Sequence, residues 1–108
     1  MRILFDQGTP APLMAFLAGY TVEKVRARGW DTLTNGELLA TAEAAGFELL
    51  VTTDKNLRYQ QNLTGRVLAI VALGTPQWPV VRAHVDLVVA AVNAAAPGSY
   101  TEVAIPRP

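Results

Sequence analysis

The chain contains no cysteine among its 108 residues. That absence removes a disulfide framework, a thiolate zinc site and a cysteine nucleophile together. Histidine is almost missing too. His84 is the only imidazole, so a bound metal would be held by oxygen ligands or by that one ring. There is no bulk charge of either sign: nine basic and nine acidic residues give a formal net charge of zero. This argues against a protein that coats nucleic acid by overall electrostatics, although a local basic rim stays open. Long apolar runs are absent as well. The start, Met1-Arg2-Ile3-Leu4-Phe5-Asp6, has an apolar run far shorter than a signal-peptide core. No later segment approaches the roughly 20 apolar residues of a membrane helix. The expectation is a cytoplasmic protein with no membrane contact.

What is present points to a folded domain. Hydrophobic residues make up 51% of the chain and charged residues 17%, a balance that excludes disorder and leaves a rather apolar surface for a partner subunit. The length suits one core, so residues 1–108 are read as a single domain.

Ile3-Leu4-Phe5 reads as a buried strand ending at Asp6, and Thr9-Pro10 as a helix start with Thr9 as cap. The helix should cover Ala11 to Leu17 and end by Gly19. Thr21 to Val25 alternates like a second strand. Thr34 and Glu37 form a capping box with Leu33 and Leu38 placed to staple it, and that helix should stop at Gly46 after about Ala45. Phe47 to Thr53 is a strand delivering Asp54 at its carboxyl end, followed by a short polar helix over Lys55 to Asn62. Val67 to Leu73 is an unbroken apolar run, the pattern of a central parallel strand covered on both faces. Val80 to Ala96 reads as one long helix closed by Pro97-Gly98, apolar on more than one face, which predicts a homodimer contact. Tyr100 to Ile105 is a last, edge strand. The alternation predicts an α/β fold, a small parallel sheet of about four strands with helices on both faces.

Open sheets of this kind bind ligands outside the carboxyl ends of their strands, where the winding reverses. Asp6 and Asp54 fall at two such ends, and in a 2-1-3-4 order they share a crevice. Glu37, in the first turn of the intervening helix, enters from above. Carboxylates this close repel unless a proton or cation relieves them. Mg²⁺ or Mn²⁺ does so through oxygen ligands and then accepts a phosphate in its open positions. Each acid also has a plainer role. Asp54 can cap the Lys55 helix, and Glu37 is accounted for by its capping box. Asp6 caps nothing, because Thr9 takes that place. His84 reads as a boundary histidine, and Trp30 and Trp78 as packing residues. Arg66 and Arg82 read as surface charges. Arg58, one helical turn beyond Asp54, is placed to reach a phosphate.

Ile3-Leu4-Phe5-Asp6-Gln7, Asn35-Gly36-Glu37-Leu38-Leu39 and Val51-Thr52-Thr53-Asp54-Lys55-Asn56-Leu57 together resemble the small PIN-like proteins, relatives of toxin ribonucleases. Tyr59-Gln60-Gln61-Asn62-Leu63 and Trp78-Pro79 are similar to that group as well. The resemblance implies a PIN-like fold with acids at Asp6, Glu37 and Asp54 that bind Mg²⁺ or Mn²⁺ and cut single-stranded RNA. It implies Asn56 as a further metal ligand, Gln7, Lys55 and Arg58 as substrate contacts, and an antitoxin protein as a possible partner. The chain departs from the group at two places: the fourth acid is replaced by the neutral Asn56, and Gly8 stands where asparagine is common.

Two other classes compete with the ribonuclease. One is a non-catalytic binding or interaction module on a PIN-like scaffold, suggested by Asn56, the zero net charge and the apolar last helix. The other is a phosphoacceptor receiver domain, since Asp54 ends a middle strand. Receivers place two adjacent acids after the first strand and a lysine after the last, and this chain has neither.

Overall fold

The computed structural model describes residues 1–57 and 62–106. Its strands are β1 (Arg2–Phe5), β2 (Thr21–Lys24), β3 (Leu49–Thr52), β4 (Ala69–Leu73) and β5 (Tyr100–Val103), and its α-helices are α1 (Asn35–Ala44), α2 (Trp78–Ala83) and α3 (Val85–Ala94). The strands form one sheet of order β2-β1-β3-β4-β5, and every pairing is parallel. The fold is therefore α/β with five strands, one more than the expected count. The chain steps outward from β1 to β2 and then crosses to the far side of β1 to lay down β3, so the winding reverses between β1 and β3.

Side-chain alternation divides the core into two layers. Ile3, Phe5, Leu49, Val51, Ala69, Val71 and Leu73 face Leu13, Leu17, Val81, Val88 and Val92, the residues brought by a 3-10 turn, α2 and α3. Leu4, Leu50 and Ile70 face Leu38, Leu39 and Ala42 of α1 on the opposite side. β3 and β4 are buried at every position, which is why their sequences are continuous apolar runs rather than alternating ones.

Helix α1 starts with the expected capping box: the Thr34 side chain accepts from the Glu37 backbone N–H, and Glu37 reaches back to the Thr34 backbone. It ends as expected at Gly46, whose φ is 88°. The Gly46 N–H donates to the Glu43 carbonyl at 3.0 Å and the Phe47 N–H to the Ala42 carbonyl at 3.0 Å. These two bonds make a Schellman motif, with Phe47 returning to the core.

Three expectations need correction. Ala11–Phe16 is a 3-10 helix with Pro10, not Thr9, at its N-cap. Thr9 instead turns its hydroxyl to the Val51 carbonyl at 2.9 Å, a bond to the neighbouring strand that competes with capping. The strand expected over Phe47–Thr53 is only Leu49–Thr52, because Phe47 belongs to the helix stop. The single helix expected over Val80–Ala96 is two helices, starting at Trp78 and interrupted at His84, where φ is −129° and ψ 31°. Valines crowd both sides of the break, and β-branched residues hold a helix weakly. The break also bears on the homodimer contact. Val81, Val88 and Val92 are buried, and Val85, Val89 and Ala91 pack on the same layer, so the chain's own core takes up most of the apolar breadth. The polar helix expected over Lys55–Asn62 rests on residues 58–61, which lie outside the described residues. The aromatic readings agree with packing: Trp30 meets Phe47 edge-on at 6.0 Å, and Trp78 meets Phe16 at 5.9 Å.

Gly46→Ala forces a Cβ into left-handed backbone and sets it 3.0 Å from the Arg2 guanidinium. We expect a loss of about 1–2 kcal/mol, measured as a lower urea midpoint with an unchanged slope. An unchanged midpoint would show that the helix stop does not depend on glycine.

Candidate functional site

The site is built by register. β1 pairs with β3 so that Phe5 lies opposite Val51, and the Asp6 N–H extends the ladder by donating to the Val51 carbonyl at 2.9 Å. Asp6 is thereby brought beside Thr52, a fully buried polar residue. The Thr52 hydroxyl donates to Asp6 Oδ2 at 2.9 Å and accepts from the Asp54 N–H at 3.1 Å. One hydroxyl thus ties the two strand-end aspartates together. Asp54 is steadied further by the Asn56 N–H on Oδ1 at 3.0 Å and by Asn35 Nδ2 on Oδ2 at 3.3 Å. The first of these is a local turn contact, so the capping role considered for Asp54 coexists with its place in the site.

After Asp6 the chain reverses. The Thr9 N–H donates to the Asp6 carbonyl at 3.1 Å, with Gly8 at φ 85° in the third position of the turn, where a positive φ favours glycine. A Cβ on Gly8 would stand 2.9 Å from Thr53 Oγ1. Gly8 is therefore tied to the presence of Thr53 beneath it. The Gln7 N–H caps Asp6 Oδ1 at 2.8 Å, and its side-chain amide donates to the Asp31 carbonyl at 2.8 Å.

Electrostatics set Asp6 apart. Burial raises its pKa above the ordinary value of 3.8, and the charge of Asp54 adds to the rise, while the hydrogen bonds from Thr52 and Gln7 oppose it. Glu37 is shifted the other way: the Thr34 backbone N–H, then the Thr34 side chain, hold its carboxyl below the usual glutamate range. Glu37 Oε1 accepts from the Thr34 N–H at 3.0 Å and from Thr34 Oγ1 at 2.9 Å. In this conformation it serves the helix end, and its neighbour Asn35 is the α1 residue that reaches Asp54.

Among the described residues no group of three or more acidic, histidine or cysteine side chains is gathered tightly enough to hold a metal ion. The carboxylate set is a pair. Lys55 lines a separate cavity of about 340 Å³ with Gly74, Glu102 and Ile105, beyond the ends of β4 and β5. Arg58 lies outside the described residues. No helix among the described residues is long and apolar enough to cross a membrane.

Sequence reasoning missed Thr52 and Asn35. The signal for Thr52 was its place as the last residue of a buried strand, where a hydroxyl needs a partner. Asn35 shares the first turn of α1 with Glu37, and its position there was the available cue.

Asp6 holds its proton to higher pH in the folded chain than in the unfolded one. Its ionisation therefore costs stability as pH rises from 3.8 through the raised folded value, and costs nothing below that window. In the absence of divalent cations, Asp6→Asn should melt above the wild type at pH 7. The difference should vanish as pH falls below 4. A variant less stable at both ends would assign Asp6 an anchoring role.

Comparison with protein-family models, with curated proteins and with solved structures finds no match to this chain.

Proposed function

We propose that the chain is a PIN-like, metal-dependent ribonuclease acting on single-stranded RNA, with Asp6 and Asp54 as the direct ligands of Mg²⁺ or Mn²⁺. The observation that carries this reading is the pair of aspartates at the ends of β1 and β3, where the winding reverses, joined through the Thr52 hydroxyl. The RNA substrate and the PIN-like assignment come from the sequence resemblance.

The donor set suits a hard, hydrated cation. Mg²⁺ keeps several waters and commonly takes one or two protein carboxylates, so a pair is sufficient where a zinc site would be incomplete. Each carboxylate oxygen has two acceptor directions. Hydrogen bonds from Thr52, Gln7, Asn35 and Asn56 fill one direction on each oxygen. Among the described residues these four bonds fall one to each oxygen, and a second direction on each would be the one a ligand uses. A cation there supplies charge for a phosphodiester and a water of lowered pKa. The residues of the chain do the positioning: Thr52 fixes the Asp6 carboxyl, and Asn35 and Asn56 fix that of Asp54. The contacts with the RNA backbone that the resemblance implies for Gln7 and Lys55 are placed unequally: the Gln7 N–H touches Asp6 Oδ1, while Lys55 lines the cavity beyond β4 and β5.

The specific observation favouring the second reading, a non-catalytic interaction module such as one that pairs with an antitoxin, is Glu37. Its carboxylate turns to Thr34 through Oε1 in the capping box, and among the described residues no third acid gathers with Asp6 and Asp54.

The two readings part on metal and cleavage. The wild type should bind Mn²⁺ by calorimetry and cut single-stranded RNA only with Mn²⁺ or Mg²⁺ present. Asp6→Asn and Asp54→Asn should each lose more than the roughly 10–100-fold that outer partners of a metal ligand cost, while keeping their circular dichroism. Absence of heat at millimolar Mn²⁺ would overturn the nuclease reading and leave the interaction module.

A further inference from the structure

We propose that the cavity beside Asp6 is a subsite for a backbone phosphate of single-stranded RNA adjacent to the one being cut, with Lys24 and Arg26 as its cationic wall. The identity of the strand rests on the ribonuclease reading; the evidence for the subsite is separate.

The cavity, about 230 Å³, lies at the carboxyl ends of β1 and β2 and is lined by Asp6, Gln7, Gly8, Thr9, Lys24 and Arg26 among others. The parallel register sets Lys24 opposite Phe5, level with the end of β1. Arg26 opens the 3-10 turn Arg26–Arg28 immediately beyond. The fold therefore delivers both cations to the mouth of the crevice that holds Asp6.

Lys24 and Arg26 differ from three of the chain's other basic residues. Arg2 and Arg28 are both spent on Glu23, at 3.2 and 2.8 Å, and Arg66 on Glu43 at 3.6 Å. Lys24 and Arg26 are exposed, and no carboxylate lies within ion-pair distance of either among the described residues. Two cations against the single charge of Asp6 leave a positive wall on the side of the cavity away from Asp54. An anion is the ligand such a wall selects.

Size and backbone narrow the anion. The volume falls short of the roughly 300–1,000 Å³ that encloses a free small molecule, so the cavity takes one group of a longer chain. Gly8 contributes main chain to the cavity wall, its left-handed turn set by Thr53 beneath it. Arginine binds phosphate oxygens through its planar fork and lysine as a compact point charge, so both side chains suit a phosphate. Asp6 borders both the carboxylate pair and this cavity, so a strand crossing it would set one phosphate at the aspartates and the next against Lys24 and Arg26.

The test is binding of a single-stranded RNA decamer in EDTA, followed by fluorescence anisotropy over a salt series, for the wild type and for the double variant Lys24→Gln, Arg26→Gln. Each phosphate contact on a single strand contributes about 0.7 to the slope of log affinity against log salt, so the slope should flatten by roughly 1.4. Affinity at low salt should fall about tenfold, with an unchanged thermal melt. A companion Mn²⁺ titration separates the two claims. Flattening of the slope sustains the subsite even where Mn²⁺ gives no heat and the nuclease reading fails. An unchanged slope, or a wild type that binds no RNA at low salt, overturns the subsite whatever Mn²⁺ does.

Discussion

The in-register parallel pairing of β1 with β3 is the constraint on which the rest of the molecule depends. Ile3, Leu4 and Phe5 stand opposite Leu49, Leu50 and Val51, and all six are buried. A slip of one residue would exchange the layers: Leu4 and Leu50 would no longer serve the α1 side together, nor Phe5 and Val51 the α2 and α3 side. The same slip would move Asp6 away from Thr52. Core packing and the placement of the aspartates are thus two consequences of one register, and the hydrophobic free energy of two strands buried on both faces holds a pair of repelling carboxylates together.

How much of this was legible in the sequence follows the range of the interactions involved. The capping box of Thr34 and Glu37 and the stop at Gly46 are local, closed within a few residues, and were readable as written. The strand-end aspartates were readable because a buried apolar run followed by an acid is itself a local pattern. The break at His84 was not, since valines spaced at helical intervals give the same periodicity whether the helix is whole or interrupted. Thr9 was misread because its hydroxyl has two uses, a local cap and a bond to Val51 on β3, and only the folded register offers the second. Thr52 and Asn35 have the same origin: their partners lie 46 and 19 residues away.

Glu37 shows two local rules in conflict. As a first-turn acid it satisfies Thr34 and meets the positive end of the α1 dipole, and those interactions lower its pKa. Both Thr34 bonds fall on Oε1, so a ligand role would fall to Oε2 or require the box to open. Opening it would leave the Thr34 N–H an orphan donor at a helix start. Asn35 reaches Asp54 from the same turn without that conflict.

The absence of net charge takes on a different meaning once positions are known. Balance over the whole chain conceals separation at the carboxyl edge of the sheet, where Asp6 and Asp54 meet at the β1–β3 junction, Lys24 ends β2 and Arg26 follows it. The separation matters more than the sum. A cation at the aspartates and an anion at the basic wall would each relieve a local excess of charge. On the proposed reading, with one phosphate held through a metal and the next by these cations, the contacts would be confined to a single edge, and a net charge of zero would be no obstacle to them.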